Sequence, residues 1–253
     1  METTEIINNR GQKLSALVFN ARGKAAYTII VCHGFRGTKI NAGKIFSFAD
    51  RLVDLDFNVI AADFAGSGDS EGEFADVTLS GQGEDLRCII DYAWLRYKLP
   101  LILLGRSFGG STLLVGGTDT NRVAGYIFWS TPIMLKDTFS AIITKETETL
   151  GESAIITLSD AAGVFQLKPG FIRDFDKHNM ETYLRMVGSR PVLIVHGKAD
   201  ELVNPANAIY IHNHLVNSKL FLVDDADHRF LNHIKYREDL TINWLKENFP
   251  KGG

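Results

Sequence analysis

Two serines in this chain sit in the pattern Gly-x-Ser-x-Gly: Gly68-Asp69-Ser70-Glu71-Gly72 and Gly105-Arg106-Ser107-Phe108-Gly109. A serine hydroxyl becomes a useful nucleophile only when a base takes its proton and an acid orients that base. The pattern serves this chemistry when a strand ends at the first glycine and a helix starts just after the serine. The sharp turn lifts the hydroxyl clear, and the helix N-terminus favours the negative charge that develops there. Side chains two residues either side would collide in such a turn, so glycine is favoured at both places. Ser107 meets these conditions: an apolar run, residues 99–104, ends at Gly105, and residues 109–114 open a helix. Ser70 stands several residues past its strand in an acidic, glycine-rich loop, and Glu71 would place negative charge beside an oxyanion. Ser107 is therefore the expected nucleophile.

Seven histidines are available as its base. His228 follows an apolar strand and an acidic loop, just before the last helix, where a loop can carry imidazole over the end of a sheet. His212 and His214 are two apart on an expected helix, which puts them on different faces and argues against a metal pair. His233 is expected inside the last helix, His178 in an insertion, and His196 at a strand end in a structural role. For the acid, Asp200 lies in the loop just past the strand of residues 191–195, with Glu201 as runner-up. Asp224, Asp225 and Asp227 read as loop-shaping, solvated charges. Two backbone donors must then meet the oxyanion. Phe108 follows the nucleophile, and Phe35 follows Gly34 in the loop that begins His33-Gly34-Phe35-Arg36-Gly37. Both N–H groups are the expected donors. The glycines of residues 63–70 lack the third member of a dinucleotide fingerprint and open no helix, so no nucleotide site is expected there.

The elements that must position these residues follow from hydrophobic periodicity. Residues 4–20 read as a hairpin around Asn9-Arg10-Gly11. Apolar strands are expected at 26–32, 58–64, 99–104, 123–129, 191–195 and 219–223. Helical spacing marks 42–55, 79–97, the segment from Ser111, and about 231–249. Continuous apolar strands alternating with amphipathic helices imply an α/β fold, a mostly parallel sheet covered on both faces. Residues 135–190 exceed the dozen or so that a crossover needs and read as a small inserted cap, leaving 1–134 and 191–253 as the core. Within the cap, a hairpin is expected around residues 160–163 and a helix over 171–187.

Composition bounds the partners. Of 253 residues, 27 are Lys or Arg and 30 are Asp or Glu, a formal charge of −3 that argues against nucleic acid. The polar N-terminal residues 1–10 and the short apolar runs predict neither an export signal nor a membrane span. Cys32 and Cys88 fall in apolar segments and read as two buried thiols of a cytoplasmic protein; Cys32 and His33, as strand neighbours, point apart.

Together these residues resemble the α/β-hydrolase superfamily over nearly the whole chain. The matching pieces are His33-Gly34-Phe35, residues 63–70, 105–110 and 196–200, and Asp227-His228. Within the superfamily the chain is similar to the small bacterial cinnamoyl and feruloyl esterases. That resemblance implies a serine esterase with Ser107, Asp200 and His228 as triad and the N–H groups of Phe35 and Phe108 as oxyanion hole. It implies a small-molecule ester as substrate, with no metal and no cofactor. Cap residues would recognise a phenolic ring, and Asp137, Gln166 and Tyr183 are the candidates. Arg106 and Phe108 depart from the His and Gln often found beside the nucleophile in that group. A lipase, thioesterase or serine peptidase would use the same machinery, and a receptor on this fold is the reading from another class. A homodimer stays among the options.

Overall fold

The computed structural model describes residues 1–140, 149–160 and 163–250. Its centre is an eight-stranded sheet in the order β1 (Glu2–Ile7), β2 (Lys13–Phe19), β4 (Phe57–Ala62), β3 (Tyr27–Cys32), β5 (Leu101–Arg106), β6 (Val123–Trp129), β9 (Val192–Gly197) and β10 (Ser218–Val223). β1 pairs antiparallel with β2, and β2 antiparallel with β4; every later pairing is parallel. The mostly parallel α/β sheet expected from the sequence is thus present, with the early hairpin at one edge.

Strand alternation divides the interior into two layers. Ile30, Leu101 and Leu103 point to one face, where α2 (Leu79–Tyr97) and α3 (Phe108–Gly117) cover them. Ile29, Ile102 and Leu104 point to the other face, under α1 (Lys44–Val53) and α8 (Ile234–Asn248). The central strands carry no polar face because water reaches neither side.

The chain leaves β3 toward β4 on one side and returns to β5 on the other. Order reverses at that point, so the loops after β3 and β5 part and leave a crevice at the carboxyl ends of the strands. Gly34 and Phe35 follow β3 there, and Ser107 follows β5.

Between β6 and β9 lie α4 (Leu135–Thr138), a hairpin of β7 (Ile156–Asp160) and β8 (Gly163–Leu167), α5 (Gly170–Asp174) and α6 (Met180–Val187). The hairpin falls where the sequence places it; Ala161 and Ala162 of its turn lie outside the described residues. The single helix expected over 171–187 is two helices, because His178 and Asn179 are extended and the Asn179 side chain caps α6 through the Thr182 N–H at 3.1 Å. The last helix starts later than its periodicity suggests. Residues 230–233 form turns, so His233 precedes α8 as its N-cap instead of lying inside it. α7 (Ala206–Asn213) lies between β9 and β10.

Among the described residues no helix is long and apolar enough to cross a membrane. Cys32 is buried as expected, whereas Cys88 is only half-buried.

Candidate active site

Ser107 joins β5 to α3 with φ 53° and ψ −129°, a conformation that only a well-supported turn retains. The support is close packing. A Cβ on Gly105 would stand 2.6 Å from the Gly109 backbone, and one on Gly109 would stand 2.4 Å from the His33 carbonyl oxygen. Both glycines are therefore required by the approach of α3 to β5 and of the β3 loop to α3.

The base and acid come from the far side of the sheet. The loop after β10 brings His228 Nε2 to 3.0 Å from Ser107 Oγ. The loop after β9 brings Asp200 to the other ring nitrogen, with Oδ2 at 2.9 Å and Oδ1 at 3.0 Å from His228 Nδ1. Asp200 also accepts from the N–H groups of Leu202 and Val203, at 3.0 and 2.8 Å. A second imidazole, His196 Nε2, lies 3.1 Å from Asp200 Oδ2 and 2.8 Å from the Val203 carbonyl. Burial by itself would raise the Asp200 pKa; the bonds from His196 and His228 outweigh it and hold the carboxyl well below the usual range. An ionised Asp200 keeps the proton of His228 on Nδ1 and leaves Nε2 to accept from the serine.

Glu201 does not compete for the ring: its Oε2 accepts the backbone N–H of His228 at 3.1 Å and holds that loop. Asp227 accepts the Leu231 N–H at 2.8 Å within its own loop, while Asp224 is exposed and paired with Lys198. Ser70, the other patterned serine, donates to the Asp63 carbonyl at 2.8 Å and accepts from the Ser15 N–H at 2.9 Å. It joins the 63–70 loop to β2 and has no part in a nucleophilic pair.

Phe108 is the first residue of α3, so its N–H is one that the helix cannot pair internally. Gly34 packs against the nucleophile, since a Cβ there would stand 3.0 Å from both the Arg106 carbonyl and Ser107 Cβ. That contact brings the backbone at Phe35 beside Ser107. His33 braces the same loop: its Nε2 accepts the Phe64 N–H at 3.1 Å and its Nδ1 lies 2.9 Å from the Gly34 carbonyl. Burial pushes the His33 pKa down and keeps this ring neutral, and burial pushes the Cys32 thiol up, so the two neighbours form no reactive pair.

A cavity of about 770 Å³ opens at Ser107 and His228. Asp137, Gln166 and Tyr183, the candidates for substrate contact, are not among its described lining residues. Asp137 is exposed on α4, Gln166 faces a neighbouring groove, and the Tyr183 hydroxyl lies 3.1 Å from His178 Nδ1. For the first two the register is the cause. Thr138 and Phe139, next to Asp137, line the cavity, and so does Phe165, next to Gln166 on alternating β8. What the sequence did not single out is a cluster of phenylalanines. Phe35 has ring centroids of Phe74, Phe108, Phe139, Phe165 and Phe171 within 5.1–6.1 Å. Its members are dispersed over the sequence, so no local pattern announces them. The Phe108 ring is fully buried behind Phe35 and Phe139 and is not a lining residue. Among the described residues no group of His, Cys, Asp or Glu could hold a metal ion.

The family described as serine aminopeptidase, S33 matches residues 23–163, more than half of the chain. The chain belongs to this family of α/β-hydrolases. Its fold is similar to that of Est1E from Butyrivibrio proteoclasticus, solved with ferulic acid bound: TM-score 0.82 and 22% identity, covering 98% of this chain and all of that one. The human serine hydrolase BPHL is 26% identical over 250 residues, 92% of this chain and 82% of its own. The uncharacterised protein YfhR of Escherichia coli (strain K12) is 24% identical over 207 residues, 81% of this chain but only 63% of its own length. The fold is accordingly that of an α/β-hydrolase.

Proposed function

We propose that the protein is a serine-dependent carboxylic ester hydrolase that works through an acyl-enzyme. The observation that carries this reading is the unbroken chain from Asp200 through His228 to Ser107 at the mouth of the cavity. Ser107 Oγ attacks the ester carbonyl carbon while its proton passes to His228 Nε2. Negative charge gathers on the carbonyl oxygen, and the N–H groups of Phe35 and Phe108 donate to it, each donor being worth about 3 kcal/mol. Collapse of this intermediate breaks the bond to the alcohol oxygen, which takes the proton from His228. Water then adds to the acyl-enzyme with His228 again as base, releasing the acid and restoring Ser107. No cofactor is called for.

For the substrate, the wall of Phe35, Phe139 and Phe165 with Leu158 suits a flat, apolar group. Esters of hydroxycinnamate type have such a group, and the likeness of the fold to a ferulate-binding structure makes them the first to try. A peptide's protonated amino terminus fits less well, because the described lining holds Arg36, Lys44, Arg106, Arg229 and Arg237 with Asp160 as its one acidic residue, already paired with Arg36.

The test is hydrolysis of methyl ferulate beside 4-nitrophenyl butyrate by the wild type and by Ser107→Ala. Loss of turnover by about 10⁴-fold or more in a folded Ser107→Ala protein is the expected result. Turnover unchanged by that substitution overturns the mechanism, and turnover of butyrate alone overturns the aromatic specificity.

A further inference from the structure

The cavity has two unlike ends. Toward the α2 and α3 face lies the phenylalanine wall. Toward the α1 and α8 face the cavity meets a second, small one of about 40 Å³, and Lys44, Arg106 and Arg237 line both.

Arg237 is the unusual member. It is 2% exposed, and its Nε and Nη1 are buried without a hydrogen-bond partner. Its guanidinium lies 4.0 Å from the Trp129 ring centroid and 5.1 Å from that of Phe230. These rings attract the cation but offer no acceptor in the plane of its N–H groups. The nearby carboxylates are committed elsewhere: Glu238 to Arg51 at 3.0 Å, Asp227 to the Leu231 N–H, Asp200 to two imidazoles. Burial, then Arg106, pulls the Arg237 pKa down to about 9. Burial pulls down Arg106 and Lys44 as well; Arg229 adds to the effect on Arg106, and Arg237, Arg106 and Arg229 add to that on Lys44, against Asp227 in both and Asp200 at Arg106. Like charges held together in a partly dry site, with donors left over, are satisfied by an anion.

We infer that Lys44, Arg106 and Arg237 form an anion subsite beside Ser107, taking a carboxylate or phosphate group on the substrate across the ester from its apolar part. The inference deepens the esterase reading and rests on it for the word substrate; the anion site itself does not. Arg237 supplies a planar fork from α8, Arg106 comes from the residue before the nucleophile, and Lys44 from the first turn of α1. The substrate class is therefore an ester that is apolar at one end and anionic at the other.

The test compares kcat/KM for 4-nitrophenyl hydrogen adipate with that for 4-nitrophenyl hexanoate, the uncatalysed rate subtracted. The wild type is expected to prefer the adipate by about tenfold or more. Arg237→Met should bring the ratio close to one. Arg106→Met, at a half-buried side chain, carries the same test should Arg237→Met fail to fold. In parallel, adipate and inorganic phosphate are titrated calorimetrically into Ser107→Ala, with and without Arg237→Met. Binding lost with Arg237 supports the subsite, and the tighter of the two ligands names its group. Absence of turnover on both esters together with Arg237-dependent binding sinks the esterase reading and keeps the anion site. A wild-type ratio at or below one, with no binding of either anion, overturns the inference.

Discussion

At the scale of single residues, the geometry separates two acids that the sequence leaves adjacent. Asp200 lies against the His228 ring and Glu201 against its backbone N–H. Asp200→Asn presents an amide where the Nδ1 proton points and favours the wrong tautomer, so kcat for ester hydrolysis should fall by about 10³- to 10⁴-fold. Glu201→Gln keeps a carbonyl acceptor for the His228 N–H and should change kcat by no more than about fivefold. Steady-state kinetics on the two variants checks both, and equal losses would contradict the assignment. The same acid could be chosen from sequence because the loop after a late strand is where such a residue belongs, but Glu201 has an equal claim on that ground. Only the distances separate them. His196 shows the complementary gap: the sequence suggests a structural strand end, and the structure shows that it hydrogen-bonds the acid itself.

At the scale of elements, the segment between β6 and β9 is clamped to the core at identifiable points. Asp174 of α5 accepts from Ser80 N and Oγ of α2, both at 2.7 Å, and His178 Nε2 lies 2.9 Å from the same hydroxyl. Burial pushes the Asp174 pKa up, but the bonds from His178 and Ser80 outweigh it and hold the carboxyl below the usual range. A carboxyl with a depressed folded pKa stabilises fully above its unfolded pKa of about 3.9, and that contribution is lost as pH falls through the lower folded value. Asp174→Asn should therefore lower unfolding free energy by about 1.5–3 kcal/mol at pH 7, and the gap to wild type should narrow below about pH 4. Urea denaturation at several pH values measures this; a gap that widens in acid would refute the clamp. On the far side of the segment, Arg36 pairs with Asp160 and lies 4.3 Å from the Phe165 ring centroid, so the β3 loop that carries Phe35 also holds the hairpin. The hairpin itself was legible from alternation and its glycine. The break of the following helix at Asn179 was not, because the apolar spacing continues across it while one side-chain cap ends the helical run.

At the scale of the whole molecule, the cavity lies where the two layers of the interior meet over the end of the sheet. The phenylalanines of its wall come from the β3 loop, β8 and the segment after α4, with Phe171 of α5 packed behind Phe35. Phe35→Ala opens the centre of that cluster and removes a ring from the wall. It should lower kcat/KM for an aromatic acyl ester by about tenfold or more while affecting an acetate ester much less. A parallel fall on both esters would assign Phe35 to loop support alone. Phe165→Ala tests the same wall from the hairpin and should act in the same direction.

Residues 63–70 show what a sequence by itself can determine. They read as an acidic, glycine-rich loop that opens no helix, and in the structure Asp63 accepts from the Lys39 N–H and Asp69 N–H while its Oδ2 lies 2.6 Å from Lys39 Nζ. Likewise the elbow at Ser107, the parallel sheet and the chain order of serine, acid and histidine rest on local chemistry: strand periodicity, glycine at crowded positions, and loops that must follow strands. The lining of the cavity rests on something else. Phe35, Phe139 and Phe165, or Lys44, Arg106 and Arg237, are far apart in the chain and share no pattern that distinguishes them from other phenylalanines and cations. They meet because the strand order reverses between β3 and β5 and because α1 and α8 pack on the face opposite α2 and α3. Register then decides which of two neighbours, Asp137 or Thr138, Gln166 or Phe165, faces the cavity, since one residue's shift turns a side chain to the other side. The candidate triad was written in local spacing, whereas the shape and charge of the pocket beside it exist only once the chain is folded.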